Sequence, residues 1–160
     1  LADELNRKSM LDKYYICGDG ELRKSYEKYA QSLGLFNCVE FCGFVEGERK
    51  QNLLKKCDFF LLLSSIENYP VSTLEAMSFG TVVIASNVGG LKEQITSGIN
   101  GILVDEIKIP SIASNLINIF HNKEKMSLLV DKGRITAKNH SLKNIFDDYL
   151  NIYRESLKKK

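Results

Sequence analysis

The sequence lacks the features that mark several large functional classes. Its 22 Lys and Arg residues nearly balance its 20 Asp and Glu residues, which leaves a formal net charge of +2 at pH 7. This balance gives no electrostatic reason to expect nucleic acid as a partner. No apolar run approaches the roughly 18 residues of a membrane span. Internal repeats and low-complexity tracts are also missing.

Paired metal-binding cysteines are missing as well. The four cysteines, Cys17, Cys38, Cys42 and Cys57, form no CxxC motif, and Cys38 and Cys42 have no second pair nearby. This spacing argues against a zinc site, so no metal is predicted. Three of the four lie in or beside apolar strand-like runs, which favours reduced, buried thiols in a cytosolic protein.

The chain does contain alternating strand and helix patterns over 160 residues, a length that fits one globular domain. Strands are predicted at 13–17, 38–45, 58–64 and 81–86, and a turn within 97–104 leads into a fifth. Helical spacing is found at 21–34, 47–57, 71–80 and 89–96. The alternation predicts an α/β fold with a Rossmann-like, doubly wound parallel sheet.

The two ends of the chain add to this prediction. From Pro110 to about Leu157 only helical patterns occur, and residues 141–157 place apolar side chains on one broad face. The sequence opens at Leu1 in a helical pattern, although a βαβ domain normally starts with a strand. We therefore expect a fragment, from which an earlier strand and an earlier domain have been left off.

Three loops are candidates for a ligand site, because ligands bind outside the carboxyl ends of the strands in an open parallel sheet. In the first, GDG at 18–20, Gly18 and Gly20 allow a sharp turn and close approach of the backbone to a ligand. The geometry of a strand-to-helix turn would by itself explain these two glycines equally well. In the second, GFVEGERK, Val45 would cover a flat ring and Lys50 would meet its polar edge, although a solvated helix start is the favoured alternative.

The third loop, SSIENYP, follows the third strand and ends at Pro70. Proline is tolerated in the first turn of a helix, so a helix is predicted to begin near Val71. The free N–H groups of that turn and the positive end of the helix dipole form an anion site. Ser72 and Thr73 add hydroxyl donors to it.

Two carboxylates flank this anion site. Glu67 precedes the helix by several residues and Glu75 lies about one turn into it, so the two are not predicted to form an acid/base pair. They suit the hydroxyl groups on two sides of a phosphate, which is the layout of a sugar nucleotide. For Glu75 alone, a favourable interaction of an early helical glutamate with the dipole is the alternative.

Several motifs in order resemble the C-terminal domain of GT-B retaining glycosyltransferases of glycosyltransferase family 4, the glycosyl transferases group 1. The family pattern of a Glu, seven residues, Glu-Ala-Met and a glycine is matched by Glu67, NYPVSTL, Glu75-Ala76-Met77 and Gly80. Later motifs of the family are matched by GG with Glu93, and by the turn SGING. The resemblance extends from about residue 13 to residue 157.

The resemblance implies roles for individual residues. Glu75 would hold the ribose hydroxyls, and Glu67, the catalytic candidate, would hold hydroxyls of the transferred sugar. Asn68 and Tyr69 replace the Gly-Phe that the family often has, which leaves the identity of the sugar open. The full set of residues expected to contact the donor is Glu75, Asn68, Tyr69, Pro70, Val71, Ser72, Gly18, Gly20, Val45 and Lys50.

The implied function is that of the donor-binding domain, residues 1–160, truncated at its N-terminus. The full enzyme would transfer a hexose from a UDP- or GDP-sugar to a glycan, lipid or polysaccharide precursor, with retention and without a metal or cofactor. The family usually supplies an Arg and a Lys from a segment before Leu1, so the fragment alone is expected to be inactive. Helix 141–157 would pack toward the missing N-terminal acceptor-binding domain. The implied location is the cytoplasm, with peripheral association at the inner face of the membrane as an option.

Two other functions stay open. A GT-B relative such as a sugar-nucleotide epimerase would use the same donor site. A non-catalytic nucleotide-binding module, for example a receiver-like domain, would need an aspartate at the end of a central strand. Asp58 opens its strand instead, which counts against a receiver.

Overall fold

The computed structural model describes residues 1–158, apart from the side chains of residues 148 and 158. In chain order its elements are α1 (Ala2–Arg7), β1 (Tyr14–Cys17), α2 (Arg23–Ser32), β2 (Val39–Gly43), α3 (Gly47–Lys56), β3 (Phe59–Leu62), α4 (Val71–Ser78), β4 (Val82–Ser86), α5 (Leu91–Gln94), β5 (Ile102–Val104), α6 (Ile109–His121), α7 (Lys123–Asn139) and α8 (Leu142–Lys158). These elements form two compact units. The first unit contains Leu1–Cys57 and Glu106–Lys123, and the second contains Asp58–Asp105 and residues 124–158.

The first unit is built on the parallel pair β1 and β2. Ile16 lies opposite Phe41, and the register then shifts so that Cys17 lies opposite Gly43. The shift leaves Cys42 as the extra residue of a bulge at the carboxyl end of β2, and Gly43 takes φ +66 there. A bulge of this kind bends the strand locally.

The apolar core of the first unit comes mainly from three helices. The buried side chains include Leu5 of α1, Leu54 of α3, and Ile112, Leu116 and Ile119 of α6. Each such side chain contributes about 1.5–3 kcal/mol when it is fully buried. By contrast, α2 contributes no buried residue.

The second unit is built on a parallel sheet in the order β3–β4–β5. Leu62 lies opposite Ala85, and Ser86 lies opposite Val104, so the three strands end at one edge. All five residues of β4 are buried. A continuous apolar run of this kind is what a parallel strand needs when both of its faces are covered.

Helices of the second unit pack closely because of one small residue. The buried face of α4 carries Thr73, Ala76 and Met77. Gly133 of α7 is buried as well, and a Cβ added there would lie only 3.3 Å from Met77 Cγ. The glycine therefore allows α7 to approach α4. No side chain of α8 that the structure describes is buried.

The α/β fold class is confirmed, with parallel strands connected by helices. All five predicted strands are present, and α4 begins at Val71, directly after Pro70. The long helical stretch from Pro110 divides into α6, α7 and α8, with breaks at Asn122 and at residues 140–141.

The cysteine prediction holds only in part. All four cysteines are reduced, but Cys42 alone is buried. Cys38 and Cys57 are half-buried, whereas Cys17 is exposed. Cys17 is exposed because it is the last residue of β1, at the carboxyl edge, where strand packing gives way to the following turn.

Candidate functional site

The turn after β1 leaves open space around its backbone. Gly18 takes φ +123 and donates its N–H to Gly43 O at 2.7 Å. The N–H of Gly20 is bound by the Asp19 carboxylate at 2.9 Å. Apart from the glycine itself and its chain neighbours, no heavy atom lies within 4 Å of a Cβ added at Gly18 or Gly20. This open space is what close approach of a ligand to the backbone requires.

Arg23, the first residue of α2, holds this turn beside the end of β2. Its guanidinium donates to Phe41 O at 3.0 Å and lies 2.8 Å from Glu27 and 3.6 Å from Asp19. A Cβ added at Gly43 would lie 2.9 Å from Arg23 Nη1, so the glycine makes room for the guanidinium. Two carboxylates compensate the charge of Arg23, which therefore acts here as a structural brace.

The loop after β2 contains the predicted Val45 and Lys50, and both are half-buried. Lys50 lies in the first turn of α3 and donates its backbone N–H to Glu46 O at 3.3 Å. At the bulge beneath this loop, burial together with the neighbouring Cys17 and Glu40 raises the pKa of Cys42 to about 11. Cys42 is therefore protonated at neutral pH and serves as a packing group, since only a thiolate is an effective nucleophile.

The loop of residues 64–70, which follows β3, rests directly on the turn after β4. Gly90 donates its N–H to Glu67 O at 3.3 Å. A Cβ added at Gly89 would lie 1.7 Å from Glu67 O, and one added at Gly90 would lie 1.7 Å from Asn68 O. Only glycine permits so close an approach of two backbones. The pair Gly89 and Gly90 thus forms the floor of the 64–70 loop.

These contacts also orient the other side of the loop. No peptide bond that the structure describes is cis, so the C=O of Glu67 and the N–H of Asn68 point in opposite directions. The same holds for the C=O of Asn68 and the N–H of Tyr69. Because both carbonyls face the glycine turn, both N–H groups face away from it. Within residues 1–158 neither N–H donates a backbone hydrogen bond, so the loop presents two backbone donors.

The 64–70 loop leads into the N-terminus of α4, which has no side-chain cap and no acidic residue in its first turn. Pro70 is the N-cap residue, and Val71 and Ser72 supply the first N–H groups. Free N–H groups and an uncompensated helix dipole favour an anion. Glu75 lies one turn further along α4, and the carboxylate of Glu67 accepts a hydrogen bond from Ser64 Oγ at 2.7 Å.

A buried polar network fixes the start of α4. The Thr73 hydroxyl lies 2.5 Å from Gln94 Oε1 and 2.7 Å from Pro70 O, while Gln94 Nε2 donates to Pro70 O at 3.2 Å. Asn100 Nδ2 donates to Gln94 O at 2.9 Å and to Thr136 Oγ1 at 2.8 Å. Thr73, Gln94 and Asn100 are at most 8% exposed. Satisfied hydrogen bonds in such a low-dielectric interior make the loop end and the helix start rigid.

Tyr69 connects the loop to this network and to α7. Burial and the nearby Glu93 carboxylate raise the pKa of the Tyr69 phenol, while a hydrogen bond with the Gln94 side chain opposes them. The Tyr69 ring centroid lies 6.0 Å from that of His140, with the planes tilted by 44°. Tyr69 nevertheless remains 40% exposed, so one side of its ring is open to solvent.

Sequence reasoning missed four residues that shape these loops, namely Arg23, Ser86, Gln94 and His140. Ser86 ends β4, is only 5% exposed, and has a hydroxyl without a hydrogen-bond partner among the described residues. Its position at the carboxyl end of a predicted parallel strand was the available signal. For Arg23 the signal was acidic residues four positions before and after it. Gln94 and His140 carried no local signal.

Two further features are absent from the described part of the chain. Residues 1–158 contain no group of three or more His, Cys, Asp or Glu side chains placed to hold a metal ion. None of the helices in that range is long and apolar enough to cross a membrane.

Comparison with protein families gives a match over most of the chain. Residues 6–136 match the sequence model of the family described as glycosyl transferases group 1. The chain belongs to the glycosyl transferases group 1 family. The resemblance seen in the motifs is thus confirmed at the level of this family.

Two curated relatives of this glycosyltransferase domain are named as glycosyltransferases. An uncharacterized glycosyltransferase of Methanocaldococcus jannaschii is 32% identical over 143 residues, which cover 89% of this chain and 37% of the relative. The 2-deoxystreptamine N-acetyl-D-glucosaminyltransferase of Niallia circulans is 29% identical over 154 residues, which cover 96% of this chain and 40% of the relative. The domain therefore spans well under half the length of these relatives. Nothing in them favours an epimerase or a non-catalytic module.

A solved structure supports the fold. The Anabaena protein Alr3699/HepE, crystallised with UDP and glucose, matches the domain with a TM-score of 0.79 at 22% identity. The match covers 89% of this chain and 40% of that protein. This likeness confirms a Rossmann-like domain of the GT-B type.

The structure sorts the predicted site residues of the glycosyltransferase domain into two sets. The second unit brings Glu67, Asn68, Tyr69 and Pro70 together on one loop that continues into Val71, Ser72 and Glu75. The first unit holds the other set, Gly18, Gly20, Val45 and Lys50, in the loops after β1 and β2.

Proposed function

We propose that this glycosyltransferase domain binds the nucleotide-sugar donor of a retaining hexosyltransferase. The proposal rests on the anion site of the second unit. There the 64–70 loop presents outward N–H groups and is followed directly by the uncapped N-terminus of α4. Backbone N–H groups are suited to pyrophosphate oxygens. The carboxylates Glu67 and Glu75, before and after this anion site in the chain, are suited to hydroxyl groups on either side of a pyrophosphate.

The roles in the second unit follow from this arrangement. Glu75 accepts hydrogen bonds from the ribose hydroxyls, and Glu67 accepts them from hydroxyls of the transferred sugar. The N–H groups from Asn68 to Ser72, apart from Pro70, which has none, bind the sugar and the pyrophosphate. The Ser64 hydroxyl supports this role of Glu67, because its hydrogen bond at 2.7 Å holds the carboxylate in place.

The roles in the first unit concern the phosphates and the base. Gly18 and Gly20 leave open backbone for the phosphate side of the donor, in keeping with the empty space around both. Val45 is proposed to lie against the face of the base, with Lys50 at its polar edge.

The proposed reaction breaks the bond between the anomeric carbon and the diphosphate oxygen and forms a bond from that carbon to an acceptor hydroxyl oxygen. The hydroxyl passes its proton to an oxygen of the departing diphosphate, the configuration is retained, and a nucleoside diphosphate leaves. The negative charge that develops on the diphosphate is stabilised by the N–H groups and dipole at the start of α4.

The donor is proposed to be a UDP- or GDP-sugar, and the UDP and glucose bound to the Anabaena protein support the first of these. The acceptor would be a glycan, lipid or polysaccharide precursor, bound by an acceptor domain of the full-length cytoplasmic enzyme. We further propose that α8 packs against that domain. Leu142 and Leu157, at the two ends of α8, are 87% and 75% exposed. Their exposure supports the proposal that α8 has an apolar face available for contact with that domain.

Titration of the chain with UDP, GDP and ADP tests donor binding. Wild-type protein is expected to bind UDP or GDP, and Glu75→Ala is expected to bind it about tenfold to hundredfold more weakly, because hydrogen bonds to a charged group are lost. Isothermal titration calorimetry measures both. The control is Glu124→Ala, which removes an acidic residue from the first turn of α7. Equal affinities of wild type and Glu75→Ala would remove the ribose assignment.

A further inference from the structure

His140 lies at the end of α7, outside the residues assigned to the donor above. Its ring is held by Thr136, since Nδ1 lies 2.8 Å from Thr136 O. A carbonyl oxygen only accepts, so Nδ1 carries the proton in this contact. The backbone N–H of His140 donates to the same oxygen at 3.2 Å. The backbone bond fixes the main chain of His140, and the Nδ1 contact restricts rotation of its imidazole.

The helix end that carries His140 is itself fixed. The Asn144 amide donates to Lys138 O at 3.0 Å and to Asn139 O at 3.3 Å, and Lys138 O also accepts from the Ser141 N–H at 3.1 Å, so these last carbonyls of α7 have hydrogen-bond partners. Thr136 also accepts a hydrogen bond from Asn100, which connects it to the buried network. The end of α7 around His140 is therefore held rigidly.

Tyr69 is the ring that His140 meets. The centroids are 6.0 Å apart with a tilt of 44°, within the range in which aromatic pairs attract each other. Tyr69 follows Asn68, whose carbonyl rests on Gly90, and the Tyr69 ring edge is itself close to Gly90. Fixing this ring therefore limits rotation of the two peptides whose N–H groups face away from the glycine floor.

We propose that His140 is a positioning residue for the sugar-binding side of the donor site, acting through the Tyr69 ring on the Asn68 and Tyr69 N–H groups. This inference rests on the proposed function for its ligand, but the placement of Tyr69 by His140 does not. Loss of the His140 ring frees Tyr69 to turn. This loss weakens the contacts of the Asn68 and Tyr69 N–H groups to the sugar, and it leaves the contacts of Glu75 to the ribose unchanged.

The first test needs no ligand. NMR order parameters of the Asn68 and Tyr69 amides are measured in wild type, His140→Ala, His140→Phe and His140→Asn. His140→Ala and His140→Asn, which lack an aromatic ring, are expected to lower both order parameters from about 0.85 toward 0.6. His140→Phe keeps a ring and is expected to stay near wild type. Unchanged order parameters in His140→Ala, or equal loss in His140→Phe, would overturn the proposal.

The second test separates sugar from nucleotide. Affinities for UDP-glucose and for UDP are measured by calorimetry on the same variants. His140→Ala is expected to bind UDP-glucose about threefold to tenfold more weakly, while its affinity for UDP changes less than about twofold. In the Tyr69→Ala background, His140→Ala is expected to have no further effect on UDP-glucose. Equal losses for both ligands, or additive losses in the double variant, would contradict a role through Tyr69.

The chain supplies a matched control. His121, the other of its two histidines, also ends a helix beside an aromatic ring, with the Phe120 centroid at 5.8 Å. His121→Ala is expected to change neither the order parameters nor the affinities. If wild type binds neither UDP nor UDP-glucose, the proposed function with a UDP-sugar is wrong. The order parameters still decide whether His140 positions Tyr69.

Discussion

The two sets of candidate loops are held in different ways. In the second unit, the 64–70 loop is fixed by backbone contact with Gly89 and Gly90 and by a network in which Gln94 is only 2% exposed. In the first unit, the turn at Gly18 is held by Arg23, whose side chain is 33% exposed, and no heavy atom beyond the glycine and its chain neighbours lies within 4 Å of a Cβ added at Gly18. One loop is locked by the protein interior and the other by half-exposed charges.

This difference determines whether the conformational entropy of each loop is lost when the protein folds or when a ligand binds. A loop that folding has already fixed loses little entropy when a ligand binds, whereas a looser loop must be ordered at that moment. On the proposed function, the ligand groups bound by the 64–70 loop therefore meet a preformed surface, whereas those assigned to the turn at Gly18 meet a loop that adjusts. Both statements can be tested by disturbing one unit at a time.

The largest effect is expected from Gly90→Ala. The added methyl would lie 1.7 Å from Asn68 O, so the loop or the turn must move. We expect a loss of about 3 kcal/mol of unfolding free energy, measured by urea denaturation. The control is Gly20→Ala in the first unit, where the space is open. It should change the unfolding free energy by less than about 0.5 kcal/mol. Equal stability of the two variants would show that the glycine floor is not a rigid contact.

A smaller loss is expected from Gln94→Leu. The change keeps most of the side-chain volume but removes the Gln94 hydrogen bonds to Thr73 Oγ1 and Pro70 O, which then retain only each other, at a cost of about 1–3 kcal/mol. Urea denaturation measures it, and the double variant Thr73→Val, Gln94→Leu should lose less than the sum of the single changes. Gln31→Leu, at an exposed position of α2, is the matched control. Strict additivity would contradict the network.

Arg23→Gln should affect the first unit, and by less than Gln94→Leu affects the second. It leaves Asp19 and Glu27 without a cation and removes the bond to Phe41 O. We expect a modestly lower melting temperature and faster amide hydrogen exchange at Gly18 and Gly20. Arg7→Gln, which breaks the i,i+4 pair with Asp3 elsewhere in this unit, should change neither amide. Unchanged exchange in Arg23→Gln would argue against the brace.

The smallest effect concerns the Cys42 thiol and pH. Its folded-state pKa of about 11 lies above the ordinary value of 9.0, so the folded protein binds this proton more tightly than the unfolded chain. The stability that the neutral thiol contributes is thus complete below about pH 9 and is lost as the pH rises toward about 11. Urea denaturation of wild type and Cys42→Ala should show their stability difference changing only in that window. A difference that is constant with pH would refute the shift.

Much of the fold could be predicted because its signals are local. The apolar run of β4 predicts a strand, and the proline before Val71 predicts the start of a helix. Each signal lies within a few residues of the element it predicts. The breaks within the helical stretch could not be placed, since Asn122 and His140 are not residues that stop a helix by their own geometry. Helix caps of that kind depend on partners, as with Asn144 at the end of α7.

The candidate site divides in the same way. Glu67, Glu75 and the start of α4 were found from spacing and motif, and their roles remain predictions. Gln94 was missed because its structural role depends on a hydrogen bond with Thr73, which is 21 positions away in the chain. His140 was missed because Tyr69 is even further from it in sequence. Long-range contacts of this kind leave no periodic pattern.

The inward carbonyls of the 64–70 loop have a consequence for evolution and engineering. The loop offers its anion contacts through main-chain N–H groups, which every residue except proline possesses. The side chains at Asn68 and Tyr69 can therefore change while the main-chain contacts persist, and the glycines at 89 and 90 cannot. A library that alters sugar preference should randomise positions 68 and 69 without proline and leave the two glycines untouched.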